Sequence, residues 1–190
     1  MRRLVVSEFV TLDGVIEDPG GSEGFEHGGW SFRFPDPEAM RFKLEEVMAA
    51  DALLLGRITY EGFAAAWPGR TDEAGFAAKM NSMAKYVASS SLAQAAWTNS
   101  TVISGDVPAE IARLKQNPGG DILVAGSRTL VHTLAEHDLV DEYRLMVHPI
   151  VLGSGKRLFD GPAGPTVLRL VSARPLASGT IIAVYEPVPH

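Results

Sequence analysis

The sequence predicts an α/β fold in which helices flank a central, mostly parallel sheet that closes in antiparallel strands. Apolar strand-like runs alternate with helix-period segments as far as Glu136, a pattern that builds parallel sheets. From Asp141 onward the chain reads only as strands and turns, which places antiparallel strands at the C-terminal side. The runs Asp51–Gly56, Lys85–Ala88 and Asp121–Gly126 each stop at Gly or Ser, where a strand hands over to the next segment.

The elements follow in order. Leu4–Val10 reads as a first, central strand, apolar on both faces. Residues 17–35 are rich in Gly and Pro and carry Phe25, Trp30, Phe32 and Phe34, which predicts a loop packed by its rings. Asp36-Pro37 is an N-cap followed by a first-turn proline, and Met40, Leu44, Val47 and Met48 are the expected buried stripe of the helix it opens. After the strand ending at Gly56, Tyr60, Phe63, Ala64 and Trp67 fall at i, i+3, i+4 and i+7 of a second helix. A polar loop, Pro68–Glu73, and a short helix through Met83 lead to strands at Lys85–Ser89 and Thr101–Ser104. A helix over Pro108–Gln116 and the turn Asn117-Pro-Gly-Gly120 launch the Ile122 strand. A helix over Arg128–Glu136 precedes strands at Tyr143–Ile150, Thr166–Ala173 and Thr180–Pro187.

Length and composition narrow the classes of function. With 190 residues, no internal repeat and no low-complexity tract, residues 1–190 are expected to form one domain. The net charge of −6, from 17 basic and 23 acidic residues, argues against a nucleic-acid or acidic-membrane partner. The absence of cysteine removes disulfides, thiolate nucleophiles and cysteine metal sites. The basic start Met1-Arg-Arg is followed by too short an apolar run for a leader, because Glu8 interrupts it, and no run reaches the ~20 residues of a membrane span. A cytoplasmic protein is expected. No Ser-His-Asp spacing, H-E-x-x-H or P-loop points to hydrolysis or a metal, and no G-x-G-x-x-G fingerprint is present.

Three strand ends carry the chemistry. Gly56-Arg57, Ser89-Ser90 and Gly126-Ser127 would lie at the carboxyl edge of a parallel sheet, where α/β folds bind ligands. Two of them turn straight into helices, whose first N–H groups attract an anion. A nucleotide-sized crevice follows. Taken singly, each has a plainer reading: a surface arginine, a polar strand exit, and a tight turn that needs glycine.

The ordered set of segments resembles a known family. Thr11-Leu-Asp-Gly-Val-Ile16, Leu55-Gly-Arg-Ile-Thr-Tyr-Glu61, Asn81–Ser89, Ile122-Leu-Val-Ala-Gly-Ser127, Leu139-Val-Asp-Glu-Tyr143 and Pro149–Phe159 are similar to dihydrofolate-reductase-like proteins. The group is the one built on the reductase domain of the bifunctional riboflavin-biosynthesis deaminase–reductase. The resemblance implies a dihydrofolate-reductase-like fold and NADPH as cofactor. It implies that Gly56, Arg57 and Thr59 meet the cofactor phosphates, that Ser89 and Ser90 line its adenosine half, and that Gly126, Ser127, Arg128 and Thr129 form a second cofactor loop. The serine pair favours a 2′-phosphate, and the single glycine before Ser127, where dihydrofolate reductases have two, leans to the riboflavin branch.

On the substrate side the resemblance implies Thr11, Asp13 and Gly14, beside the nicotinamide, and a hairpin from Pro149 to Phe159 bending at Gly153 and Gly155. Asp13-Gly14 also reads as an ordinary turn, and Lys156 and Arg157 as either phosphate ligands or solvated charges. Asp141, Glu142 and His148 read as structural. The first helix offers Glu38, Glu45 and Glu46 as proton donors, none in the setting that dihydrofolate reductases use, so the donor stays unassigned and dihydrofolate is disfavoured.

The implied activity is an NADPH-dependent reduction like that of 5-amino-6-(5-phosphoribosylamino)uracil, at a C=N bond or an open-chain sugar carbon of a small heterocyclic substrate. The alternatives are a true dihydrofolate reductase and a non-catalytic nucleotide-binding protein on the same fold. Apolar residues at His148–Val151 and Ile181–Val184 make homodimerisation through the last strands an expectation.

Overall fold

The computed structural model describes residues 1–161 and 164–189. The strands are β1 (Leu4–Thr11), β2 (Ala50–Gly56), β3 (Ala84–Ala88), β4 (Ser100–Ile103), β5 (Asp121–Val124), β6 (Glu142–His148), β7 (Leu168–Pro175) and β8 (Ile181–Pro187). The helices are α1 (Pro37–Ala49), α2 (Arg57–Ala66), α3 (Phe76–Ser82), α4 (Val107–Gln116) and α5 (Arg128–Glu136), with a 3-10 turn at Trp30–Arg33.

All the strands join one sheet in the order β4-β3-β2-β5-β1-β6-β8-β7. Neighbours from β4 to β6 run parallel, while β8 is antiparallel to both β6 and β7. This is the mixed sheet with antiparallel C-terminal strands that the alternation of segments predicts. Its central strands are buried on both faces, which is why Leu4–Val6 and Ala52–Leu55 read as unbroken apolar runs.

The period of two along β1 separates the core into two halves. Leu4, Val6 and Val10 pack with Ile111 of α4 and with Leu130, Val131 and Leu134 of α5. Val5, on the opposite face, joins Leu53, Leu55, Tyr60, Met80 and Trp97 beneath α2 and α3. The predicted stripe of α2 holds: Tyr60 is buried, and Phe63, Ala64 and Trp67 pack against the same cluster.

Lys85 lies wholly inside this second half. Its Nζ donates to the carbonyls of Asn81, Met83 and Thr98 at 2.8, 2.8 and 2.9 Å and stands 4.2 Å from the centre of the Trp97 ring. Three acceptors satisfy the three protons of an ammonium, so the charge can stay buried without a carboxylate.

Two sequence expectations need correction. Met40 and Met48 are exposed, and the face of α1 turned to the sheet is Ala39, Phe42, Lys43, Glu46 and Val47. The helix crosses a polar part of the sheet, where Ser7 donates to Glu46 and Lys43 donates to Ser7. Those partners, absent from any apolar count, decide which face turns inward. The segment Pro149–Phe159 is no hairpin either. It is a loop without strand structure, with one isolated bridge between Val15 and Arg157. The Asp36 cap forms as expected, accepting from the N–H of Glu38 and Ala39, and its second oxygen accepts from Ser178 in the β7–β8 turn.

The 17–35 loop packs partly by its rings. Trp30 and Phe34 lie against His148, with ring centres 5.2 and 5.7 Å away, whereas Phe32 points outward. His148 also touches Phe9 and shares a hydrogen bond between Nδ1 and the Met146 carbonyl, which matches its structural reading. Ile181 and the β7 residues Leu170 and Val171 are exposed at the antiparallel end of the sheet.

Candidate active site

The carboxyl ends of β2, β3, β4 and β5 open on one crevice. Its larger part, about 370 Å³, is lined by Arg57, Ala88, Ser89, Ser90, Ser91 and the Ser104-Gly105 turn. A smaller part of about 160 Å³ continues over Gly56, Ser127, Thr129 and Thr133, with Arg57, Ala88 and Val107 shared between the two. The strand ends singled out in the sequence therefore come together because parallel pairing puts them at one edge.

Glycine makes the closest approach possible. Gly56 N–H donates to the Gly126 carbonyl at 3.2 Å, and a Cβ on Gly56 would come within 2.3 Å of Ser127 Oγ and 2.9 Å of Ser127 Cβ. Gly126 has φ +84°, a region that L side chains rarely adopt, and a Cβ there would stand 3.1 Å from Thr59 Oγ1. So Thr59 touches the second loop across the strand gap. The helices α2 and α5 begin at Gly56 and Ser127, and neither has a side chain capping its first N–H groups or an acid in its first turn. Two such helix starts side by side suit an anion that spans them.

The charged residues are held in different ways. Arg57 Nη1 reaches both oxygens of Glu61 one turn on, at 3.0 and 3.1 Å, and stays exposed. Ser89 Oγ accepts from the N–H of Ser91 and Leu92, shaping the strand exit, and Ser90 is exposed. Arg128 is turned elsewhere. Its Nε and Nη2 each lie 2.7 Å from Asp160 Oδ1, outside the crevice lining. Burial raises the Asp160 carboxyl, but the bond and charge of Arg128, with the Arg157 N–H and His132, together outweigh it and leave the carboxyl below its ordinary range.

The substrate-side residues form a second cluster. Thr11 donates to Asp13 at 2.6 Å, and Asp13 accepts from the N–H of Leu152 and Gly153 at 3.2 and 2.9 Å. Burial raises the Asp13 carboxyl, but the Thr11 hydroxyl and these N–H groups together hold it below its ordinary range. Gly14, with φ +86°, completes the turn, and its carbonyl accepts from the Leu158 N–H. Arg157 Nε donates to the Asp13 carbonyl, and Lys156 bonds Glu17 through both its N–H and its Nζ. The 11–17 and 149–158 segments are thus one clamped unit. Pro149 sits at its exposed edge against Gly179.

What the sequence reading missed is Glu8, and which of the α1 acids is buried. Glu45 and Glu38 are exposed, but Glu46 is buried with Ser7, Lys43 and Arg144 around it. Glu8 is buried on the other face of β1, with Oε1 lacking any hydrogen-bond partner. The last β1–β5 pair is Val6 with Val124, so two residues further on Glu8 stands beside Gly126. Burial pushes its carboxyl up to about 8; Lys43 and the Gly126 N–H oppose this, and Glu46 and Glu23 add to it. The signal in the sequence is a lone acid inside an apolar strand.

Among the described residues no cluster of His, Asp and Glu is placed to hold a metal ion, and no helix is long and apolar enough to cross a membrane.

Known proteins share this architecture. The uncharacterized protein YyaP of Bacillus subtilis (strain 168) is 34% identical over 189 residues, covering 97% of this chain and 95% of the relative. Among solved structures, a putative riboflavin biosynthesis protein from Shewanella sp. PV-4 superposes with a TM-score of 0.75 at 20% identity, over 98% of this chain and 99% of that one. Dihydrofolate reductase from Enterococcus faecalis, complexed with NADP(H), gives a TM-score of 0.60 at 16% identity, over 98% and 97% of the two chains. The RibD C-terminal domain family matches residues 2–182, and the chain belongs to that family.

Proposed function

We propose that the protein is an NADPH-dependent reductase similar to 5-amino-6-(5-phosphoribosylamino)uracil reductase, acting on a small heterocyclic substrate. The observation that carries this reading is the crevice in which Arg57, the serines at 89–91 and two uncapped helix starts converge. Such a donor set fits a dinucleotide. The backbone N–H groups of Arg57 and of Ser127-Arg128 would take the pyrophosphate, and Thr59 would reach it from α2. Arg57 with Ser89 and Ser90 would take a 2′-phosphate, for which a guanidinium fork is well shaped. When bound, the reduced nicotinamide supplies a hydride to a C=N bond or an open-chain sugar carbon.

The clamped unit of Thr11, Asp13 and Gly14 with Pro149 and Gly153 would position the substrate. Asp13 acts there through the loop it holds, since its oxygens already accept from Thr11, Leu152 and Gly153. The buried carboxylate of α1, Glu46, is engaged by Lys43 and Ser7, which disfavours the dihydrofolate alternative.

Titration of the tryptophan fluorescence with NADPH and with NADH tests the reading. Saturable binding that favours NADPH is expected, and Arg57→Ala should weaken NADPH at least about tenfold while changing NADH little, as loss of a charged hydrogen bond predicts. No binding of either cofactor at millimolar concentration would sink it. Tight binding with no turnover of any heterocyclic substrate would favour the non-catalytic alternative.

A further inference from the structure

The reduction proposed above needs a proton as well as a hydride, and this inference rests on that reading. We propose that Glu8 is the acid that delivers the proton to the substrate. Its place in the fold is the first reason. Glu8 lies at the carboxyl end of β1, between the Gly126 loop on β5 and Leu145 on β6. It therefore stands where the cofactor loop adjoins the strand that leads into the Thr11–Gly14 turn.

The second reason is its unpaired oxygen. Glu8 is 8% exposed, and Oε1 has no hydrogen-bond partner. Glu46 Oε1 also lacks a hydrogen-bond partner, but its Oε2 accepts from Ser7 and Lys43 and Oε1 lies 3.6 Å from Arg144 Nη1. Glu142 is engaged by Arg3 and Arg144, and Asp36 by its N–H donors. A buried polar atom without a partner is rare in a folded chain and calls for a ligand or a role. Gly126 lies directly beside that oxygen: a Cβ there would stand 3.7 Å from Oε1, in ordinary contact.

The third reason is its charge state. The ionised form is disfavoured by burial first, and then by Glu46 on α1 and Glu23 in the 17–35 loop. Lys43 on α1 and the Gly126 N–H work the other way, and the carboxyl still settles at about 8. Glu8 thus holds its proton at neutral pH and can give it up, which is what a general acid must do.

The step balances. The Glu8 O–H bond breaks and its proton forms an N–H bond at the substrate nitrogen. The carbon of the same C=N bond takes the hydride, so the substrate is reduced and the dihydronicotinamide oxidised. The carboxylate then recovers a proton from water.

Two measurements test this. The first is the carbon-13 titration of the Glu8 carboxyl in the full chain, assigned through its own backbone amide. A transition near pH 8 is expected, and a transition in the ordinary glutamate range overturns the proposal without reference to any substrate. The second compares wild type with Glu8→Gln, using NADPH and 5-amino-6-(5-phosphoribosylamino)uracil as the probe pair. We expect kcat to fall about 100-fold with KM changed less than about threefold, and the alkaline limb of the pH profile to disappear. An unchanged kcat and pH profile would overturn the catalytic role. If wild type binds no NADPH, the reductase reading fails first and this role with it, which the titration of cofactor alone reveals.

Discussion

Two buried charges, Lys85 at the head of β3 and Glu8 near the end of β1, occupy opposite halves of the same core and are treated in opposite ways. The lysine finds three carbonyl acceptors and an aromatic face. The glutamate keeps one oxygen unpaired. A fully satisfied buried charge holds structure together: here it ties the end of α3 to the segment before β4. A partly satisfied one is an energetic cost that the fold tolerates beside a ligand crevice, where function tends to reside. On the proposal above, the first of the two is scaffold and the second is site.

The comparison can be broken most sharply at Lys85. Lys85→Met keeps the volume but strands three carbonyls, and it should destabilise the protein by about 3 kcal/mol in thermal or urea unfolding, since each unsatisfied group costs about 1–3 kcal/mol. A loss below about 1 kcal/mol would mean that the cage does little.

Glu8 should behave in the reverse sense. Its folded carboxyl sits at about 8, above the ordinary value of 4.5, so between those limits the folded chain binds more protons than the unfolded one. Stability from this group is therefore intact below about pH 4.5 and falls as pH rises to about 8. Glu8→Gln removes that slope and should be the more stable of the two at pH 9, in unfolding curves taken across the range. Equal stability of the two at pH 9 would show that the buried carboxyl carries no such cost.

The smallest effect is expected at the surface. Glu61 holds Arg57 in an exposed pair of the kind worth about 0.3–0.5 kcal/mol. Glu61→Gln should free the guanidinium and tighten NADPH about twofold in the same fluorescence titration. Weaker binding would show that Glu61 orients Arg57 for the phosphate instead of competing with it.

Much of the fold was legible in the chain. The runs Asp51–Gly56, Lys85–Ala88 and Asp121–Gly126 mark strands β2, β3 and β5 to within two residues, because a strand buried in the sheet needs no polar side. Asp36-Pro37 announced α1 through local capping chemistry alone. Gly56 and Gly126 could be singled out because the absence of a Cβ is visible in the letters, and the close contacts with Ser127 and Thr59 show why it matters there. Other features depended on neighbours far along the chain. The 149–158 segment has the glycines of a hairpin, yet Asp13 and Glu17 draw its N–H groups across about 140 residues and leave it a clamped loop.

By itself, then, the sequence determined the alternation of strands and helices, the strand ends rich in Gly and Ser, and the caps, all of which arise from local sterics and hydrogen bonding. Only the tertiary structure decided which face of α1 turns inward, where Arg128 points, and that Glu8 is sealed beside Gly126 with an oxygen unpaired. The reason is physical. Period and propensity act over a few residues, whereas desolvation and charge pairing depend on what the fold brings from the far end of the chain.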